Sequence, residues 1–117
     1  MADQNQLPLN KFRLLSTSLV SGSNLIYKED LDISTIVLSC QITNKTTGSV
    51  QSVSIEVQKS GSAQLFTVLN NGYIPPYESL NPLSGKLVLE RQDAFYISTN
   101  QTGKLDAVLS VLENANS

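Results

Sequence analysis

Apolar and polar residues alternate along most of this chain with a period of two, as a half-buried β-strand requires, because successive side chains of an extended backbone point to opposite faces. The alternation is cleanest from Val50 to Val57, where Val53, Ile55 and Val57 fall on one side and Ser52, Ser54 and Glu56 on the other. The longest apolar segment, Ile33 to Thr43, puts Ile36, Leu38, Cys40 and Ile42 on one face and Ile33 and Val37 on the other. This predicts a central strand with its even-numbered face in the core. Phe12 to Val20, Asn24 to Lys28, Ala63 to Leu69, Lys86 to Glu90 and Ala94 to Ile97 supply further strands. Lys104 to Glu113 is the last, with Leu105, Ala107, Leu109 and Val111 alternating along it; its run LDAVLSVLEN is also helix-forming, which leaves a C-terminal helix as the alternative.

The punctuation between these segments is turn chemistry: Ser21-Gly22-Ser23, Asn44 to Gly48, Lys59 to Ser62 and Asn70-Asn71-Gly72. Two hairpins are expected. One joins Ile33–Thr43 to Val50–Val57 through NKTTG, and the other joins Lys86–Glu90 to Ala94–Ile97 through Arg91, Gln92 and Asp93. Asn71-Gly72 predicts a tight turn that ends the strand before it, and Pro75, Pro76 and Pro82 keep the following segment out of any helix or central strand. The fold class is all-β, a two-sheet, jelly-roll-like β-sandwich of about eight strands, with Ile36, Leu38, Ile42, Val53, Ile55, Leu87, Leu89, Leu109 and Val111 in the core. The strand pattern admits a jelly roll and an immunoglobulin-like topology alike; the absence of Trp and of a Cys pair weighs against the second.

Composition sharpens this in three ways. At 117 residues and 40% hydrophobic, the chain is expected to be one domain, residues 11–117, preceded by a polar arm, residues 1–10, that has no periodicity of its own and is loose or ordered by a neighbouring subunit. With 8 basic against 10 acidic residues, a net charge of -2, no basic footprint for nucleic acid exists. Only 15% of residues are charged, against about 25% in typical domains, a surface suited to packing against other subunits. The N-terminus lacks a basic then apolar signal, and no apolar run reaches membrane-span length, so neither ordinary export nor membrane insertion is expected.

The chain contains no His and a single cysteine, Cys40, so neither a Ser-His-Asp triad, nor a Cys-His pair, nor a zinc site can be assembled within one subunit. No catalytic residue, cofactor or metal is expected, and Cys40 is taken as a small buried hydrophobe. Asn44 and Asn100 match the glycosylation sequon but serve as turn residues here. Three constellations carry a sharper alternative. Glu29, Asp30 and Asp32 offer oxygen ligands for calcium, against an ordinary solvated acidic turn. Glu90 and Asp93 offer a general acid and base, against turn carboxylates bonded to nearby backbone N–H groups. Tyr73-Ile74-Pro75-Pro76-Tyr77 offers a polyproline segment or an aromatic sugar-binding ledge, against a proline-stiffened loop.

The run Asn10 to Leu14, Tyr27, the segment Ile36 to Asn44, Ile74-Pro75-Pro76, Leu83 to Glu90, Asp93 and the closing Leu109 to Glu113 together resemble small virion structural proteins of tailed bacteriophages, particularly those of cyanophages and other marine phages. The likeness spans about residues 10 to 113, with Arg91-Gln92-Asp93 where that group usually has a Gly-Asp pair. The resemblance implies an all-β homo-oligomeric subunit of the virion, synthesised in the host cytoplasm, in a capsid decoration, neck or tail position. Its partners are then other copies of itself and other virion proteins, with no nucleic acid and no membrane. The alternative is a carbohydrate- or receptor-binding β-sandwich module using Tyr73 and Tyr77.

Overall fold

The computed structural model describes residues 10–28, 33–83 and 85–114. The arm placed at residues 1–10 lies, apart from Asn10, outside the described residues, as does the acidic corner Glu29 to Asp32. Nine strands follow one another: β1 (Asn10–Ser18), β2 (Gly22–Lys28), β3 (Ser34–Asn44), β4 (Gln51–Gln58), β5 (Leu65–Ile74), β6 (Ser79–Leu80), β7 (Leu87–Leu89), β8 (Ala94–Thr99) and β9 (Leu105–Asn114). They form two antiparallel sheets. One has the order β1-β9-β3-β6, with β7 also paired to β3, and the other the order β2-β8-β4-β5. Because β6 and β7 both lie along β3, they are two pieces of one strand position, and the resulting eight positions are those of a jelly roll with its two Greek keys. The immunoglobulin-like alternative drops out on strand order, and the last segment is a strand, not a helix.

Both expected hairpins are absent. β3 and β4 belong to opposite sheets, as do β7 and β8, so the chain crosses the sandwich at residues 45–50 and again at residues 90–93. The local chemistry at the second crossing is a turn, with Asp93 N donating to Glu90 O at 3.0 Å and Gln92 at φ +62°. A tight turn serves a hairpin or an inter-sheet corner equally well, and the choice is made by partners far away in sequence. Among the described strands, β4 and β5 are the sole sequence-consecutive pair that is hydrogen-bonded.

The core fills the space between the sheets with Leu19, Val37, Ile42, Val53, Ile55, Ile74, Leu89, Phe95, Ile97, Leu105, Leu109 and Val111. Leu87 is half-buried against it. Ile36 and Leu38, expected in the core, are half-buried and do not pack against it. A β-bulge explains the difference. Val37 and Ser39 face the consecutive residues Val111 and Ser110, so Leu38 is an extra residue that reverses the parity of the strand. Ile33, Thr35 and Val37 point inward before the bulge, and Cys40, Ile42 and Asn44 after it.

The expected turn at Asn70-Asn71-Gly72 is also a bulge. β5 continues through it, with Asn71 at φ +54° and its N–H donating to Ser54 Oγ at 3.0 Å. Gly72 serves close packing there, since a Cβ would sit 2.8 Å from Leu69 Cδ2 and 3.1 Å from Leu80 Cδ2.

Candidate interaction surface

Two buried carboxylates, Asp93 and Glu113, lie toward the same end of the sandwich, where β3 starts and β7 ends. Asp93 is 2% exposed and accepts from Ser60 N at 2.9 Å, Glu90 N at 3.0 Å and Lys59 Nζ at 2.7 Å. Lys59 also reaches Glu90 Oε1 at 2.8 Å. The same side chain therefore ties the turn after β4 to the crossing between β7 and β8. Burial pushes the Asp93 carboxyl upward, but the hydrogen bonds from Lys59, Ser60 and Glu90 outweigh this and hold it below the ordinary carboxylate range. Glu90 and Asp93, weighed as an acid and base, both bond to one ammonium, and Asp93 is the turn carboxylate bonded to local backbone. Open clefts of about 330 and 480 Å³ share Lys59 and Ser60 and are lined chiefly by polar and charged side chains.

The second carboxylate, Glu113 on β9, joins both sheets. It accepts from Arg13 Nη1 on β1 at 3.0 Å and from the hydroxyl of Tyr27 on β2, and that hydroxyl lies 2.8 Å from Thr35 Oγ1 on β3. Nothing in the sequence signals that Arg13, Tyr27, Thr35, Glu113 and Lys59 are bonded to one another or to Asp93, because each acquires its partner through register and sheet crossing. Asn44, expected as a turn residue, is instead the last residue of β3, and its side chain braces the turn that follows. It is 0% exposed, donates to Ser49 O at 2.9 Å and Ile74 O at 2.8 Å, and accepts from Thr46 N at 2.9 Å. Among the described residues, no group of three or more Cys, Asp and Glu side chains is placed to hold a metal ion.

Tyr73 and Tyr77 are 69% and 71% exposed. Tyr73 lines a shallow cleft of about 280 Å³ with Gln51, Asn100 and Gln101. Tyr77 sits in the Pro75 to Glu78 turn at φ +64°, where Glu78 N donates to Pro75 O at 3.1 Å, the arrangement of a type II turn with Tyr in the position that favours Gly. The turn is stapled to β3 by Tyr77 N donating to Asn44 O and Asn44 N to Glu78 O, so the proline-stiffened loop is packed on the sandwich. Cys40 is 2% exposed, and burial pushes its thiol up to about 11. Large apolar side chains nevertheless stand in solvent on both sheets: Phe12 and Leu14 on β1, Leu25 on β2, Phe66 on β5 and Val88 on β7.

No family model matches the chain, and no curated protein matches it. Among solved structures it is similar to a chain of Bacillus endospore appendages, described as a family of disulfide-linked pili, with 12% sequence identity, a TM-score of 0.55, and coverage of 97% of this chain and 95% of that one. At that identity the likeness is one of fold, and the fold is the two-sheet β-sandwich.

Proposed function

We propose that this chain is a repeating structural subunit of a tailed-bacteriophage virion. It sits as a symmetric ring or cluster at the capsid surface, neck or tail, and works by packing against its own copies and other virion proteins. The observation that carries the reading is the surface. Phe12, Leu14, Val88 and Phe66 are each about half exposed or more, while Lys59, Arg13 and Lys45 are engaged in internal ion pairs. Apolar surface of this kind is covered by a partner in working proteins of the structural class. The resemblance over about residues 10 to 113 supplies the virion setting. The sandwich shared with an appendage protein supports the subunit role in general. That neighbour is described as disulfide-linked; with Cys40 in the core, packing in this chain is non-covalent. The test is co-purification with intact particles through a density gradient. A chain that stays with the particle band after high-salt washing supports the reading, and one left wholly in the soluble fraction overturns it.

The cleft beside Tyr73 favours one second reading, a glycan-binding module in which the ring stacks on a sugar face and Asn100 and Gln101 bond its hydroxyls. Saturable glycan binding by the free domain, lost in Tyr73→Ala, together with absence from particles, would transfer the assignment to it.

A further inference from the structure

Cross-strand register puts Phe12 of β1 opposite Leu112 of β9, Leu112 opposite Ile36 of β3, and Ile36 opposite Val88 of β7. Directly opposed residues share a face, so these four form one apolar row across the sheet, with Leu14 beside Phe12 on the same side of β1. The row lies on the outer face. Its neighbours along the strands, Val37, Leu89, Val111 and Glu113, point inward, and Ile36 and Leu112 are half-buried without packing against the core. Phe12, Leu14 and Val88 are 73%, 70% and 60% exposed. The rest of the face is Ser, Thr, Gln, Val108 and the half-buried bulge residue Leu38, and among its described strand residues the one ionisable side chain is Asp106, ion-paired with Lys45 at 3.1 Å.

We propose that this outer face packs against the same face of a second copy about a two-fold axis. The inference rests on the self-packing reading above and names the surface that does the packing. Charge selects the partner. Two identical faces bearing unpaired charge repel, but the described strand residues of this one carry no unpaired charge, so those strands are complementary to themselves, whereas a partner recognised by charge finds no counter-charge on them. Patterning agrees, because β3 is apolar on both sides at its first half, as in sheets covered on both faces. Size is adequate too. About nine residues at ~3.3 Å by four strands at ~4.8 Å give a flat footprint on the order of 500 Å². Side-chain relief raises this toward the ~800 Å² per partner of a standard interface. The rival surface on β5, with Leu65, Phe66 and Val68, is broken by two register shifts and offers no continuous face.

Sedimentation equilibrium of the whole chain, from about 1 µM to about 1 mM, tests the proposal. Wild type is expected to dimerise with concentration. Phe12→Ser and Val88→Lys are expected to weaken the dimer about tenfold or more, the second by setting like charges on the joined faces, while Phe66→Ser on β5 leaves it unchanged. Circular dichroism monitors folding, and Leu14→Ser replaces either variant should it lose its β signature. A dimer unaffected by these changes overturns the face assignment while leaving self-packing intact. A wild type that stays monomeric throughout overturns the inference itself, and the virion assignment is then decided separately by the particle band.

Discussion

At Asp93, a carboxylate removed from solvent is kept charged by one ammonium and two backbone N–H groups, and its chemistry predicts both a mutational and a pH effect. Asp93→Ala leaves the N–H groups of Ser60 and Glu90 without their acceptor, so a loss of about 2–3 kcal/mol is expected in urea unfolding. The folded carboxyl lies below its unfolded value of about 3.9, so its stabilisation is present above that pH and is lost as pH falls through the folded value. Asp93→Asn should therefore flatten the acid limb of the stability profile; an unchanged limb would show that other groups dominate it. Cys40 makes a separate prediction. Its raised thiol and burial predict slow labelling of the native protein and fast labelling in urea, and rapid native labelling would contradict the register of β3.

Among elements, β3 shows how far alternation can be trusted. Its apolar content and central place were legible in the sequence, but the bulge at Leu38 was not, because both of its faces are apolar before position 39 and the pattern fits either parity. The parity gives a direct comparison. Ile42→Ala should cost about 2–5 kcal/mol as a core cavity. Ile36→Ser should cost far less in the monomer, about 0.5 kcal/mol, because Ile36 does not pack against the core. Equal losses would put Ile36 back inside. On β5 the Asn71-Gly72 pair carries the signature of a turn yet forms a bulge, since glycine answers crowding from Leu69 and Leu80 as well as it answers a turn. Gly72→Ala is expected to destabilise by about 1 kcal/mol, as the two Leu side chains must give way.

For the whole molecule, the strands were legible and their partners were not. Local patterning found nearly every strand, because each has one buried side, but sheet membership depends on pairings such as β1 with β9, which sets Asn10 against Asn114, the first and last described residues. The polar clusters share this dependence: Arg13, Tyr27, Thr35 and Glu113 meet only once four separate strands are in register. Folding dominated by such distant pairings is expected to be slow, in the millisecond-to-second range by stopped-flow, and microsecond folding would contradict the topology. The exposed apolar row that this register creates links the fold to assembly. In the role proposed above, the chain is a repeated part of a particle. The most direct measurement is quantitative mass spectrometry of purified phage particles with copy counting. A symmetric stoichiometry is expected, either hundreds of copies per particle as a capsid decoration or on the order of six or twelve as a neck or tail ring. Absence from the particles, or a sub-stoichiometric trace, would contradict it.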